Sequence, residues 1–445
     1  MKMKKLVALL MAVLMIGLTA CSKGETKDES QTQGGTSQTE DKKANDATAE
    51  DKKTDENKPA EKVKLVFYDW TDEQAYLDPA VEAYNAQSEV AEVEVVYFPA
   101  TDYAEKILSS LSSNTEFDIL GVNGVSFYGD YKSKNVLQEI TSYVEAAGLD
   151  TSVYGNVFAQ SNSDGIFGLP YRQSAWLLFV NEELFKEKGM EVPTEQLTWT
   201  QYRDLAKQLT DDDTYGGLVG MNNFVYMQQL GSSVMDEDTT VIRENLELWK
   251  SLEEDGSHVP FAEKLELGQN AGSLFTTAPA TKVAMFQNGT WGVASYNTRY
   301  ETGEMPFKYK VMPMPIPEGS KEYAAPSGMN FLSISKTSKH PEEAYDFIEF
   351  MCTYEGANII ASKGTLTAYS DDKVKETYLA AVQQDNDTLS KIVFSPNNVI
   401  EQIYNVNYSA VETILKEEME LYLIGEQDID TTMKNFEARR EEYMN

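Results

Sequence analysis

Midway along the chain, six consecutive apolar residues, Ala175-Trp-Leu-Leu-Phe-Val180, have the length of a strand buried on both faces. Gly168-Leu-Pro170 precedes them and reads as a turn. Between turn and strand lie the polar or aromatic residues Tyr171, Arg172, Gln173 and Ser174. Such a cluster feeding a buried strand suits a cleft between two α/β lobes, or an ordinary loop entering a core. Upstream, Val63–Tyr68, Val93–Phe98 and Phe117–Leu120 read as strands. Between them, Asp78-Pro79 predicts a helix start running to about Gln87, and Asp102 with Glu105 predicts a capping box opening a helix to about Ser112. A second capping box, Thr198-Trp-Thr-Gln201, opens a helix to about Leu209. Strands and helices alternating in this way predict an α/β fold with a mostly parallel sheet. Ligands of such sheets bind beyond the carboxyl ends of the strands, here the loops Trp70–Glu73 and Gly121–Gly124.

The first sixty residues follow other rules. Three lysines in Met1–Lys5 precede the apolar run Leu6–Ala20, the pattern of a secretory signal peptide over residues 1–20. Leu18-Thr19-Ala20-Cys21 resembles the lipobox of bacterial lipoproteins, which implies cleavage before Cys21, a lipid on its sulfur and anchorage to the outer face of the cell membrane. Ser22–Glu61 holds no Val, Ile, Leu, Met or aromatic residue and predicts, with Cys21, a flexible tether over residues 21–61.

About 384 residues remain, which suits two lobes better than one core. The formal charge is −34; the signal peptide contributes +3 and the tether −4, leaving −33 for the rest. That surface argues against nucleic acid. It also argues against an anionic ligand, unless a buried Arg overrides it locally. Cys352 is the only cysteine besides Cys21, so no intrachain disulfide, zinc site or cofactor is expected. His258, in the polar turn Asp255-Gly-Ser-His258, and His340, before Pro341, read as solvent-exposed loop residues, which leaves little material for a nucleophile–His arrangement. Asp211-Asp-Asp213 and Asp236-Glu-Asp238 lack the ligand spacing of a calcium loop and read as solvated turns.

Several motifs in order carry a resemblance. Pro170-Tyr171, the apolar strand into Asn181, Leu184-Phe185, Gly189, Pro193 and Thr198-Trp199 come first. Lys282–Trp291, Pro313-Met-Pro-Ile-Pro317 before Ser327-Gly-Met329, Ile334–Ser338 into Pro341–Ile348, and Leu423-Ile-Gly425 before a terminal helix follow. Together they resemble the extracellular family 1 solute-binding proteins of ABC importers, the maltose-binding-protein-like group. The resemblance implies a two-lobed, hinged, monomeric binding protein that is not an enzyme. It would hand a sugar or oligosaccharide to a membrane permease. It places lobe 1 at residues 62–173 plus 326–369 and lobe 2 at 174–325 plus 370–445.

A sugar site needs flat aromatics for C–H faces and planar polar groups for hydroxyls. The candidates are Trp70, Asp72 and Glu73 after the first strand, Asn123 after the third, and Arg172 and Gln173 at the lobe crossing. Trp291 follows Asn288-Gly289, and Tyr404 and Asn405 open the C-terminal helix. Trp70 could instead cap the sheet, Arg172 could bridge to a carboxylate, Trp291 could pack in the core, and Trp176 reads as core. Helical spacing in Val399–Tyr408 puts Ile403 or Val406 in the core. Two other readings stay open: a polyamine or peptide ligand on the same fold, where the acidic charge keeps a cationic ligand in play, and a glycoside hydrolase with paired carboxylates.

Overall fold

The computed structural model describes residues 61–219, 224–267, 272–277 and 282–444. The signal peptide, Cys21 and all of the tether before Glu61 lie outside the described residues. Strands β1 (Val63–Trp70), β2 (Ala91–Phe98), β3 (Ile119–Val122), β4 (Leu169–Asn181), β5 (Thr214–Leu218), β6 (Lys282–Gly289), β7 (Tyr309–Pro313), β8 (Pro326–Ile334) and β9 (Val399–Ile400) run through the chain. Their hydrogen-bonded order is β2-β1-β3-β8-β4-β6-β5, with β7 also on β4 and β9 on β8. Helices fill most of the intervals, and none among the described residues is long and apolar enough to cross a membrane.

β4 organises this arrangement. Its first half, Leu169–Ala175, pairs with β8, and its second half pairs with β6 and β7. The apolar run from Ala175 to Val180 is fully or nearly fully buried, as expected for a strand covered on both faces. Its neighbours, however, are all antiparallel. The sheet is therefore mixed: only β1 with β2 and β3, β5 with β6, and β8 with β9 are parallel. Nor does Gly168–Pro170 break the chain. Pro170 lies inside β4, where the register against β8 shifts between Pro170 and Arg172, an irregularity that tolerates a residue without an N–H.

One apolar core gathers residues of 65–171 with residues of 329–368. A second joins residues of 176–314 to residues of 408–436, and a third joins residues of 175–325 to residues of 357–393. Local signals mostly act where the spacing places them. Thr198 and Gln201 make both hydrogen bonds of the capping box, and the helix spans Trp199–Leu209. Pro341 stands at the first position of its helix. Asp102 precedes the helix Tyr103–Ser112 but makes no cap hydrogen bond. The first helix starts at Gln74, not after Asp78, because the 3-10 turn Thr71–Glu73 leads straight into it. Asp78 there accepts from the Tyr97 hydroxyl (2.8 Å) and from Gln74 Nε2 (3.0 Å).

His258 corrects the reading of its turn. It is buried, with Nδ1 2.8 Å from Ser257 Oγ and Nε2 2.8 Å from the Tyr202 hydroxyl. Gly217 makes the space, since a Cβ there would stand 2.2 Å from His258 Nε2. Burial pushes the imidazole pKa down to about 3. The unfolded chain binds this proton below about pH 6.5 and the folded chain does not until about pH 3. Stability is therefore lost as pH falls through that window. Urea unfolding at pH 7 and 5.5 should show wild type losing about 1 kcal/mol more than His258→Gln. Equal losses would contradict this account.

Candidate binding site at the strand crossing

The site begins where β1 ends. The turn after it carries Glu73 into the interior, where Glu73 Oε1 lies 3.0 Å from Arg172 Nη1 and Oε2 accepts from the Tyr171 hydroxyl at 2.7 Å. Consecutive strand residues normally face opposite ways. The register shift before Arg172 lets both reach one carboxylate. The Glu73 side chain is 2% exposed and that of Arg172 13%. Burial raises the Glu73 pKa, and the Arg172 charge and the Tyr171 hydrogen bond oppose that rise. Behind them Asp69 is fully buried; its Oδ1 accepts from the Trp70 N–H at 2.7 Å. Asp69 Oδ2 has no hydrogen-bond partner among the described residues. It sits against Gly121, where a Cβ would stand 2.7 Å from Oδ2. Burial, then the neighbouring Glu73 charge, holds the Asp69 pKa well above the ordinary carboxylate value.

Along β4 the pleat puts Arg172, Ser174 and Trp176 on one face. Opposite Ser174 in register is Gly328 of β8. A Cβ on Gly328 would stand 2.8 Å from Glu401 Oε2 and 3.2 Å from Ser174 Oγ, so glycine admits the Glu401 side chain here. Trp176 Nε1 donates to Glu401 Oε1 at 3.0 Å. The Glu401 backbone is held on both sides, its N–H donating to Ser327 O (3.0 Å) and its carbonyl accepting from Gln228 Nε2 (2.7 Å). Glu401 is half-buried as a residue, yet its carboxyl is enclosed enough for desolvation to push the pKa up to about 7. Trp176 also meets Trp291 edge to face, with centroids 5.2 Å apart. Trp291 is half-buried at the start of the helix Trp291–Thr302. It lies over Gly289, where a Cβ would stand 1.9 Å from the indole.

Contacts and charge thus link Glu73, Arg172, Glu401, Trp176 and Trp291 across β4. Trp70 borders this band: it is buried against Tyr103, 5.3 Å between centroids, and its side chain hydrogen-bonds Glu73. The other expected residues stand apart from it. Asp72 and Asn123 are exposed, and Asn123 makes no side-chain cap on the helix it precedes. Gln173 follows the opposite face of β4 and donates to Ser327 Oγ at 3.1 Å. The Tyr404 ring lies 4.7 Å from Lys132 Nζ, an ammonium also near Phe167 and Tyr128 and paired with Asp164 at 2.6 Å. Asn405 Oδ1 accepts from the Asn407 N–H at 2.8 Å. The segment 401–407 forms no helix; the helix begins at Tyr408, and Ile403 and Val406 are exposed, not core.

Sequence reasoning missed Glu401 and gave Trp176 to the core alone. The available signal was a carboxylate just past the end of a short apolar strand, the position Glu73 also holds. Among the described residues no group of three or more His, Cys, Asp or Glu is placed to hold a metal ion. Indoles beside planar carboxylate and guanidinium groups, gathered around a strand that enters separate cores, mark a binding protein of the two-lobed α/β class.

Comparison with known proteins gives the family. Residues 68–358 match the model of the bacterial extracellular solute-binding proteins, and the chain belongs to that family. A sn-glycerol-3-phosphate-binding periplasmic protein, UgpB of Brucella melitensis, is 22% identical over 320 residues, 64% of this chain and 70% of its own. An ABC substrate-binding protein of Listeria monocytogenes, solved with cycloalternan, superposes with a TM-score of 0.73 at 22% identity, covering 86% of this chain and 99% of its own. A sugar transporter protein of Rhizobium etli in an open conformation gives 0.70 at 23% identity over 84% and 98%. Maltose-bound MalE3 of Thermotoga maritima gives 0.69 at 19% over 86% and 100%. These neighbours share the two-lobed fold of this chain.

Proposed function

We propose that this chain captures a sugar or oligosaccharide outside the cell and delivers it to an ABC permease, without turning it over. The observation that carries this reading is the edge-to-face pair Trp176–Trp291 beside the indole-bound carboxylate of Glu401. An indole face meets the C–H face of a sugar, and the planar groups around it suit paired hydroxyls. Structural neighbours solved with cycloalternan and maltose support the same ligand class. Lobe 1 would be residues 62–173 with 326–369, lobe 2 residues 174–325 with 370–445, closing about β4 and β8 by a hinge motion. The lobes would act as a monomer, tethered through residues 21–61 to a lipid on Cys21 at the outer face of the membrane.

Of the candidate contacts, Glu73, Arg172 and Trp291 lie in the linked band, and Glu401 and Trp176 join them. A cationic ligand such as a polyamine is the second reading, favoured by the enclosed carboxylates of Asp69, Glu73 and Glu401. A thermal-shift screen separates the two, since a ligand that binds only the folded state raises its stability by mass action. Neutral saccharides should raise the melting temperature, whereas shifts with spermidine alone would reverse the assignment.

A further inference from the structure

We propose that Glu73 sets the ligand class of this site: by closing Arg172 into an ion pair it excludes phosphate-bearing solutes and reserves the site for uncharged polyols. The inference rests on the capture reading above and narrows it.

A phosphomonoester dianion is best held by a guanidinium that presents free parallel N–H groups. Arg172 is the arginine of the crossing strand, and Glu73 Oε1 already lies 3.0 Å from its Nη1. The ligand could not easily displace that carboxylate. Glu73 is the deeper partner, 2% exposed against 13% for Arg172, and its other oxygen is held by the Tyr171 hydroxyl. Pulling Arg172 away would strand a buried charge, which is strongly unfavourable.

Further carboxyl groups lie around the guanidinium. Asp69 lies behind Glu73, and Glu401, just after β9, is close enough to sense the Arg172 charge. The ammonium of Lys132, apart from this band, is enclosed by rings and paired with Asp164. An incoming dianion would therefore meet a neutralised guanidinium among carboxyl groups. A hydroxyl asks for no free charge. Arg172 Nε and Asp69 Oδ2 are both buried without a partner among the described residues. A hydroxyl both donates and accepts, so an uncharged polyol needs no guanidinium freed from its carboxylate.

The test measures thermal shifts of wild type, Glu73→Gln and the double variant Asp69→Asn with Glu73→Gln. The double variant removes Asp69 as a substitute counterion for Arg172. The probes are sn-glycerol 3-phosphate and inorganic phosphate, against sodium chloride at matched ionic strength. Wild type should show no phosphate-specific shift up to about 10 mM. At least one variant should gain a saturable shift, with apparent affinity about tenfold or more above wild type. Saturable wild-type binding of sn-glycerol 3-phosphate would overturn the proposal, as would folded variants that gain nothing. Should both variants fail to fold, the wild-type titration decides alone. Failure of every neutral sugar to bind would sink the capture reading and leave this test standing, because its probes are phosphates.

Discussion

Arg172→Ala should destabilise the ligand-free protein by about 3–5 kcal/mol, the scale for breaking a buried ion pair from one side. The loss does not come from the attraction removed. It comes from Glu73, whose 2%-exposed carboxylate would keep only uncharged partners, the Tyr171 hydroxyl and the Trp70 side chain. Glu73 would then take up a proton at higher pH, because Arg172 is the main group opposing its burial. The stability lost in Arg172→Ala should therefore shrink as pH is lowered from 8 toward 5. Removing both charges, in Arg172→Met with Glu73→Gln, should recover most of the stability, since an uncharged pair leaves no stranded ion. Chemical denaturation of wild type and the two variants measures this. A loss under about 1 kcal/mol in Arg172→Ala would show that the pair is solvated like a surface bridge.

Trp291→Ala should weaken sugar binding by about 1–3 kcal/mol, or roughly 5- to 150-fold in Kd. The half-buried indole already uses an edge-to-face contact with Trp176, so the free variant should also lose about 0.5–1.5 kcal/mol of stability. A ring engaged only in the core would give a different pattern, about 3–5 kcal/mol of stability lost with little change in affinity beyond that of folded fraction. Trp291→Phe should recover part of the affinity, because a smaller flat ring remains over Gly289. Calorimetric titration beside unfolding of the free variants separates the patterns. Unchanged affinity in Trp291→Ala would remove the ring from the site.

Much of the fold was legible because its signals are local. Thr198 with Gln201 and Pro341 mark helix starts by backbone chemistry that needs no partner elsewhere. The run Ala175–Val180 announced burial on both faces. It could not announce the direction of its neighbours, because burial is the same beside parallel and antiparallel strands, and β4 is antiparallel to all three. Pro170 read as a stop because a proline cannot donate to a ladder, yet a register shift accommodates it. His258 sits in a polar turn, and only distant Tyr202 and Gly217 turn that position into an interior one. Ile403 and Val406 look like core positions if residues 399–408 are helical. Hydrogen bonds from Ser126 to Gln402 and the Lys132–Tyr404 contact hold the segment as a loop instead.

The candidate site was legible in the same uneven way. Glu73, Arg172 and Trp291 follow strand ends or enter a buried strand, positions that order and spacing expose. Glu401 reaches the band only through Trp176 and through the missing side chain of Gly328, both far away in the chain. No local pattern reports that kind of meeting.

The most direct test of sugar capture is isothermal titration of the purified chain from residue 62 onward with a panel of neutral mono- and oligosaccharides beside spermidine. The account predicts saturable one-site binding of at least one neutral sugar, with the sugar recovered chemically unchanged, and no saturable heat from spermidine. Saturable spermidine binding with no response to any neutral sugar, or recovery of cleaved sugar, would contradict it.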